Sequence, residues 1–121
     1  MNLTNQHALV TGAGSGVGLA IAQQLDAQGC RLTLCGRNEA PLKQLAASFT
    51  NAQYVTCDVS DRASLDAALE QARLTFGPFS IAIANAGSAE ARPFSKLSQQ
   101  DWQQAMGVNL DGCFNTFQAV L

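Results

Sequence analysis

The chain has 121 residues, of which 47% are hydrophobic and 13% are charged, with a formal net charge of −2. This length fits one domain, and the composition supports a packed core rather than a disordered chain. The absence of a basic surplus argues against nucleic-acid binding. No stretch has the pattern of a signal peptide or the length of a spanning helix, so we expect a cytoplasmic protein without membrane contact.

The cysteines and the histidine give no metal-site pattern. No Cys-x-x-Cys pair occurs among the four cysteines, and the only histidine, His7, lies far from them in sequence. We therefore expect no bound metal and no disulfide framework. The predicted state of the cysteines is that of small, mostly buried thiols, and they are Cys30, Cys35, Cys57 and Cys113.

Short apolar runs alternate with segments of helical periodicity. The runs predict buried strands at residues 7–10, 31–35, 54–57 and 80–84. The intervening segments predict three amphipathic helices. Their apolar faces are Val17, Ile21 and Leu25 in the first helix, Leu42, Leu45 and Phe49 in the second, and Leu65, Leu69, Ala72 and Phe76 in the third.

Turn and capping residues mark where these helices begin and end. Gly29 is predicted to end the first helix, and Asn38 is a candidate cap for the second. Ser98 and Asp101 have the spacing of a capping-box variant, which predicts a last helix from about Gln99 to Leu121.

The resulting order is strand, helix, four times over. Strands joined by helical crossovers predict a parallel sheet covered on both faces. The predicted fold class is therefore α/β, a Rossmann-type doubly wound sheet truncated after its fourth strand and the following helix. We assign residues 1–121 to one partial dinucleotide-binding domain.

A glycine-rich turn separates the first strand from the first helix, at residues 11–18. Glycines allow a tight turn and close approach of backbone N–H groups to phosphate, and the helix N-terminus favours negative charge. This position is where a dinucleotide pyrophosphate binds in such folds. The alternative is a glycine-rich turn without a ligand. The candidate cofactor-binding residues in this turn are Thr11, Gly12, Ser15, Gly16, Val17 and Gly18.

The end of the second strand bears on the choice of dinucleotide. NAD sites place an Asp or Glu there for the ribose hydroxyls, whereas Cys35, Gly36 and Arg37 stand here, and Glu39 is the first carboxylate. A guanidinium can bind the 2′-phosphate of NADP in a fork. The pattern thus favours NADP(H) over NAD(H). In the alternative interpretation Arg37 is a solvated residue that begins a loop.

Taken with Asp58-Val59, Asn85-Ala86-Gly87 and Val108-Asn109-Leu110, the TGxxxGxG turn resembles the classical branch of the short-chain dehydrogenase/reductase (SDR) family over essentially the whole chain. The resemblance implies that Asp58 and Val59 lie beside the adenine. The alternative is helix capping near Ser60 and Asp61. The family usually reads Asn-Asn-Ala-Gly where this chain has Ala84 first.

In the same family the Asn-Ala-Gly segment lies along the cofactor ribose, which implies that role for Asn85, Ala86 and Gly87. The counterpart of Asn109 belongs to a catalytic tetrad, in which it holds a water at a helix kink and links a lysine to solvent. The alternative is that Asn109 is an ordinary polar residue on a helix.

The family's chemistry also needs a serine and a Tyr-x-x-x-Lys pattern, which would follow the last residue of this sequence. The only tyrosine, Tyr54, has Asp58 four residues later. The resemblance implies hydride transfer between a nicotinamide and a carbonyl or alcohol carbon, with 3-oxoacyl-thioester reduction as one form. We expect the 121-residue piece alone to be inactive. Alternatives are a non-catalytic NADP(H)-binding module and an inactive truncated product.

Two surfaces of the piece are expected to favour self-association. The fourth strand would be an unpaired apolar edge. The last helix carries apolar residues around much of its circumference, and in the family this helix commonly lies in a subunit interface. We expect a homo-oligomer in the full-length protein and self-association of the piece. The apolar residues of this helix are Trp102, Met106, Leu110, Phe114, Phe117 and Leu121.

Overall fold

Four parallel strands form the centre of the molecule, in a computed structural model that describes residues 2–89 and 91–121. The strands are β1 (His7–Thr11), β2 (Arg31–Gly36), β3 (Ala52–Thr56) and β4 (Ile81–Ile83). Their spatial order is β3-β2-β1-β4, so within the described residues β4 pairs only with β1. The predicted parallel sheet, with its fourth strand at an edge, is confirmed.

Helices connect and follow the strands. They are α1 (Gly16–Ala27), α2 (Glu39–Ser48), α3 (Arg62–Phe76), α4 (Gln99–Met106) and α5 (Gly112–Val120), with a short 3-10 turn at Phe94–Lys96. A π-helical turn, Gly107–Asp111, joins α4 to α5. The predicted α/β class is confirmed.

Alternation along the strands supplies two cores, one on each face of the sheet. In β1, Ala8 and Val10 point to the face covered by α1 and α2, where they pack with Leu42. Leu9 points to the opposite face and packs with Leu65 and other residues of α3. Burial on both faces explains why the strands read as continuous apolar runs, and it makes the sheet doubly wound.

The first helix packs in a way that its apolar periodicity did not predict. Val17 is 68% exposed, whereas Gly18 and Ala22 are buried against the sheet. The close approach of Gly18 to the turn after β1 rotates the helix so that small residues face inward. Asn38 is the residue before α2, as predicted, but its side chain makes no capping hydrogen bond.

The last helix begins as predicted and then departs from a continuous α-helix. Ser98 Oγ accepts the N–H of Asp101 at 3.0 Å, and the Asp101 carboxylate accepts the N–H of Ser98 at 3.0 Å, which completes a capping box. The π turn then widens the helix before α5 packs on Val59. Asn115 Nδ2 donates to the Val59 carbonyl at 2.9 Å, and a Cβ on Gly112 would collide with the Val59 side chain.

A buried polar network closes the amino-terminal end of the sheet. His7 is 2% exposed, with Nδ1 2.9 Å from the Gly77 carbonyl and Nε2 2.7 Å from Thr33 Oγ1. Because a carbonyl only accepts, we assign the proton to Nδ1, and the Thr33 hydroxyl donates to Nε2. The ring also stacks on Phe79. This arrangement satisfies a neutral imidazole, because both ring nitrogens have a partner.

Burial is the main cause that lowers the pKa of His7 from its ordinary value of 6.5, and the positive charges of Arg31 and Arg73 add to it, against the Gly77 carbonyl. Below pH 6.5, His7 therefore binds a proton more readily in the unfolded chain than in the folded chain. Folding stability contributed by neutral His7 is full above pH 6.5 and is lost as the pH falls below it.

We expect the melting temperature of the protein to decrease as the pH is lowered from about 7.5 to about 5.5, a range that brackets histidine titration. His7→Gln removes the titrating group and should flatten this part of the profile, since the chain has no other histidine. Thermal unfolding followed by circular dichroism across the pH range measures both proteins. Equal slopes for the two proteins would contradict the assignment.

Candidate cofactor-binding site

A cavity of about 330 Å³ opens at the carboxyl ends of the strands. Because the strands are parallel, the segments that follow all four of them emerge at this edge and form its walls. The lining residues are Gly12, Gly14 and Ser15 after β1, Cys35 to Asn38, Pro41 and Leu42 around the end of β2, Cys57, Asp58 and Val59 after β3, Ala86 and Gly87 after β4, and Val108 of the π turn.

The glycine turn approaches other backbone closely. A Cβ on Gly18 would collide with the Gly12 carbonyl oxygen and with the Asn85 amide, so no other residue fits there without displacing the turn. Gly12 itself has φ of +64°, a conformation that L side chains rarely adopt. Ser15, at the start of α1, makes no capping hydrogen bond to the helix. Its hydroxyl and the first N–H groups of α1 are therefore free for an anion.

Thr11 and Asn85 tie the turn after β1 to the segment after β4. Thr11 Oγ1 accepts the N–H groups of Asn85 and Ala86, each at 3.0 Å, and donates to the Ile83 carbonyl at 3.3 Å. Asn85 Nδ2 donates to the Gly12 carbonyl at 3.2 Å. Neither residue lines the cavity. Both therefore position cavity walls.

Arg37 and Asp58 bring opposite charges to the cavity. Arg37 is exposed and forms no ion pair within the part of the chain that the structure describes. Asp58 Oδ1 accepts from the Ser60 hydroxyl at 2.6 Å and from the Ser60 N–H at 2.9 Å. These bonds hold the pKa of Asp58 below its usual range, with a smaller contribution from Arg37, so the carboxylate is ionised.

Asp58 thus stabilises a local turn and also lines the cavity. The cap of α3 is Asp61, whose side chain accepts the N–H of Ser64 at 3.2 Å. The capping expected near Ser60 and Asp61 is present. It does not remove Asp58 or Val59 from the cavity wall.

Asn109 lies in the π turn, so the helix irregularity implied by the resemblance is present at this residue. Its Oδ1 accepts the Ser88 N–H at 2.8 Å, and its Nδ2 donates to the Ser88 carbonyl at 2.7 Å. The paired bonds hold the chain directly after Gly87 against the helix. Asn109 does not line the cavity, although its neighbour Val108 does.

The structure therefore brings most of the predicted site residues to one place. Those that line the cavity are Gly12, Ser15, Arg37, Asp58, Val59, Ala86 and Gly87. Thr11, Asn85 and Gly18 support it, Gly16 and Val17 lie in the exposed first turn of α1, and Asn109 contacts Ser88.

Several lining residues were not predicted. Pro41 and Leu42 enter the wall because α2 begins immediately beside the end of β2. Cys35 and Cys57 meet at the cavity, with their Sγ atoms 2.8 Å apart. The sequence places these two cysteines at the ends of successive predicted strands, and this position could have predicted that they lie in the cavity wall.

Residues 2–89 and 91–121 contain no group of three or more His, Cys, Asp or Glu side chains that could hold a metal ion. No helix in this range combines the length and apolar character needed to cross a membrane.

The sequence is similar to dehydrogenases and oxidoreductases. It is 38% identical over 122 residues to a D-threitol dehydrogenase of Mycolicibacterium smegmatis, covering 98% of this chain and 47% of the relative. An uncharacterised oxidoreductase of Staphylococcus aureus strain MW2 is 35% identical over 121 residues, with 98% and 52% covered. The chain thus spans about half the length of these relatives.

Solved structures show the same likeness. A short-chain dehydrogenase/reductase of Brucella melitensis, described as a glucose/ribitol dehydrogenase, superposes with a TM-score of 0.93 at 28% identity, covering 99% of this chain and 52% of that one. A short-chain dehydrogenase/reductase of Burkholderia phymatum in complex with NAD gives a TM-score of 0.92 at 28% identity, covering 98% and 44%.

The family model for short chain dehydrogenases matches residues 6–121, which includes the glycine turn and the π turn. The match covers nearly the whole chain, and the fold, the relatives and the solved structures agree with it. The chain belongs to the short-chain dehydrogenase family.

Proposed function

We propose that this chain binds a nicotinamide dinucleotide, with preference for NADP(H), as the cofactor-binding part of an oxidoreductase. The observation that carries this proposal is the convergence of the glycine turn, Arg37, Asp58 and the Asn-Ala-Gly segment around one cavity. The Burkholderia phymatum relative holds NAD. Transfer of that binding to this chain is supported by residues that fit each part of the ligand.

The cavity residues match the chemistry of a dinucleotide. Ser15 in the glycine turn offers its hydroxyl to the pyrophosphate, and the first turn of α1 offers its N–H groups. Between the ends of β2 and β3, Val59 supplies an apolar surface and Asp58 an ionised acceptor, which suit the face and the amino group of adenine. Ala86 and Gly87 suit a ribose because they leave space close to the backbone.

Preference for NADP(H) is supported by the charges around the end of β2. Arg37 is exposed at the cavity and has no ion-pair partner within the described residues. Glu39, the nearest carboxylate in sequence, does not line the cavity, and its Oε1 accepts the Tyr54 hydroxyl at 3.0 Å. A 2′-phosphate at this place would therefore meet a guanidinium rather than a carboxylate.

When bound, the nicotinamide supplies or accepts the hydride in exchange with a carbonyl or alcohol carbon. The role of this chain is to bind and orient the cofactor, and Asn109 is our candidate catalytic residue within it. A 3-oxoacyl thioester is one candidate substrate. A polyol is another, because one relative is named for D-threitol.

Two alternative functions are distinguished from the proposed one by measurements of binding, turnover and folding. A non-catalytic module would bind NADP(H) without turnover, whereas an inactive truncated product would show neither binding nor a folded state. We further propose a cytoplasmic protein that forms a homo-oligomer in its full-length form. The oligomer proposal is supported by the exposed apolar side chains of α4, the π turn and α5.

A variant at Arg37 tests the preference for NADP(H). A charge-assisted hydrogen bond to the 2′-phosphate contributes about 1.5–3 kcal/mol, which corresponds to about a ten- to hundredfold change in affinity. Arg37→Gln should weaken NADP⁺ binding by this factor and leave NAD⁺ binding nearly unchanged. Titration calorimetry with both dinucleotides measures the ratio.

Arg62→Gln is the matched control for Arg37, because Arg62 is a partly exposed arginine outside the cavity that pairs with Asp66. It should leave both affinities unchanged. Tighter binding of NAD⁺ than NADP⁺ by the unmodified protein would reject the NADP preference while keeping dinucleotide binding.

Turnover separates a cofactor-binding piece from a complete enzyme. We expect the 121-residue chain to bind NADPH but to reduce no carbonyl. A chain extended along its natural reading frame through a serine and Tyr-x-x-x-Lys should oxidise NADPH when given a carbonyl substrate. The sequence of the DNA beyond the codon for Leu121, followed by absorbance assays of both chains, tests this. Turnover by the 121-residue chain would contradict it.

Self-association is expected through the apolar surface of the last helices. Four apolar side chains of α4, the π turn and α5 are between 48% and 60% exposed. They are Trp102, Leu110, Phe114 and Phe117. Replacing Phe114 and Phe117 together by Gln removes several kcal/mol of apolar burial from any contact made there. Sedimentation velocity should show an oligomer for the unmodified chain and a shift toward monomer for the double variant.

Leu74→Gln is the control for this surface, since Leu74 is 78% exposed on α3. It should leave the sedimentation profile unchanged. A monomeric, cooperatively melting species for the unmodified 121-residue chain would contradict self-association.

A further inference from the structure

Two thiols touch at the cavity between β2 and β3. Cys35 is fully buried and Cys57 is 8% exposed, and their Sγ atoms lie 2.8 Å apart. Both are free cysteines, and both line the cavity. A disulfide needs an S–S distance of about 2.05 Å, so the sulfur atoms lie close to bonding distance. Because Cys57 lies two residues beyond Val55, the residue opposite Cys35, closing the bond also moves the two strand ends.

The sheet register makes this contact. Cys35 pairs with Val55 across β2 and β3, and the Cys57 N–H donates to the Gly36 carbonyl at 3.0 Å directly beyond β3. Both side chains lie on the face of the sheet that packs against Leu65. The two strand ends therefore hold the sulfurs together, while the cavity gives a small reagent access to them.

The pair has an order of reactivity. Either thiol can donate in this contact, and we assign Cys35 as the donor because it is the more deeply buried thiol. The bond then lowers the pKa of Cys57 and raises the pKa of Cys35, while burial and the nearby Asp58 and Asp61 act against the lowering at Cys57. Cys57 is also the more exposed of the two. Cys57 is thus the attacking sulfur and Cys35 the resolving one.

The other cysteines lack this arrangement. Cys30 is buried among the residues under α1 and α2, and its thiol donates to the Leu3 carbonyl at 3.4 Å. Cys113 lies on α5 and does not line the cavity. Neither forms a sulfur–sulfur contact within the described residues.

We propose that Cys35 and Cys57 are an oxidisable site of this protein, which forms a reversible disulfide that excludes the dinucleotide and is in turn protected by it. The exclusion rests on the proposed NADP(H) binding, whereas the disulfide does not. The oxidant is a hydroperoxide and the reductant that restores the thiols is a dithiol.

The step balances with hydrogen peroxide as the oxidant. The Cys57 thiolate attacks one peroxide oxygen, the O–O bond breaks, and the products are a sulfenic acid and hydroxide. Cys35 sulfur then attacks the sulfenic sulfur, the S–O bond breaks, and the thiol proton leaves with the oxygen in water. Overall, two thiols and one peroxide give one disulfide and two waters, and the two electrons reduce the peroxide.

Exclusion follows from the residues that adjoin the pair. Gly36 and Arg37 follow Cys35 directly, and Asp58 and Val59 follow Cys57 directly, and all of them line the cavity. A covalent bond draws these two strand ends together and displaces the groups proposed to hold the adenosine end. Conversely, a dinucleotide over this wall blocks the peroxide. The two effects are linked, because each state must disfavour the other by the same free energy.

The test uses the natural protein, reduced and then treated with hydrogen peroxide, with and without NADP⁺. Samples are quenched with N-ethylmaleimide, digested with trypsin and analysed by mass spectrometry. Trypsin cuts after Arg31, Arg37, Lys43 and Arg62, which places Cys35 in peptide 32–37 and Cys57 in peptide 44–62. We expect these two peptides to be joined and to separate again with dithiothreitol.

The rate at which the Cys35 and Cys57 peptides become joined measures how strongly the dinucleotide protects the thiols. NADP⁺ at about 100 times its Kd should slow disulfide formation about a hundredfold, because only the free protein reacts. The oxidised protein should bind NADP⁺ at least about tenfold more weakly than the reduced protein. In Cys57→Ser the link should be absent, and peroxide should not change that variant's affinity. Cys113→Ser, the matched control, should behave like the unmodified protein.

Three results would overturn the proposal. They are no joined peptides at any peroxide concentration, a link that involves Cys30 or Cys113 instead, and an unchanged rate of joining in protein saturated with NADP⁺. The peptide map of the unmodified protein does not depend on the folding of any variant. Joined peptides in a protein whose reduced form binds no NADP⁺ would reject the proposed function and the exclusion, but would support the disulfide itself.

Discussion

The contact of Gly18 with the carbonyl of Gly12 sets the position of everything at the carboxyl edge of the sheet. Only a hydrogen atom fits at that place, because the Gly12 oxygen and the Asn85 amide occupy the space that a Cβ would take. The contact brings α1 close to β1, turns Val17 outward and leaves Ser15, the residue before α1, in the cavity wall. The bonds of Thr11 to Asn85 and Ala86 lock the same junction from behind.

Those buried bonds outweigh the ion pairs at the surface. Each buried hydrogen bond contributes about 0.5–1.5 kcal/mol, and breaking one partner costs more because the other is left unsatisfied. The Arg62–Asp66 pair is exposed and lies one helical turn apart, and such pairs contribute about 0.3–0.5 kcal/mol. Among the polar interactions, the site geometry therefore depends more on the neutral contacts of Thr11 and Asn85 than on the surface ion pair. The neutral contacts of Asn115 and His7 likewise contribute more to stability than that ion pair does.

The cavity combines a fixed half and a half that can respond to its surroundings. The glycine turn and the Asn-Ala-Gly segment are held together by hydrogen bonds from the side chains of Thr11 and Asn85 to backbone groups. The wall between β2 and β3 contains the groups with chemistry of their own, which are Arg37, the ionised Asp58 and the two thiols. The proposed preference for NADP(H) and the proposed oxidation of the thiols thus involve the same strand ends, because parallel neighbours place the residues after each strand side by side.

Local patterns in the sequence were sufficient for the class of fold and for much of the site. The apolar periods predicted four strands and their helices, the spacing of Ser98 and Asp101 predicted the start of α4, and the glycine turn predicted one wall of the cavity. These features depend on residues within one turn or one strand of each other. The rotation of α1, the π turn, the entry of Pro41 and the meeting of Cys35 with Cys57 were decided only by the tertiary structure. Each depends on contacts between segments that are distant in sequence, such as Thr11 with Asn85, and residue spacing carries no information on how closely such segments approach.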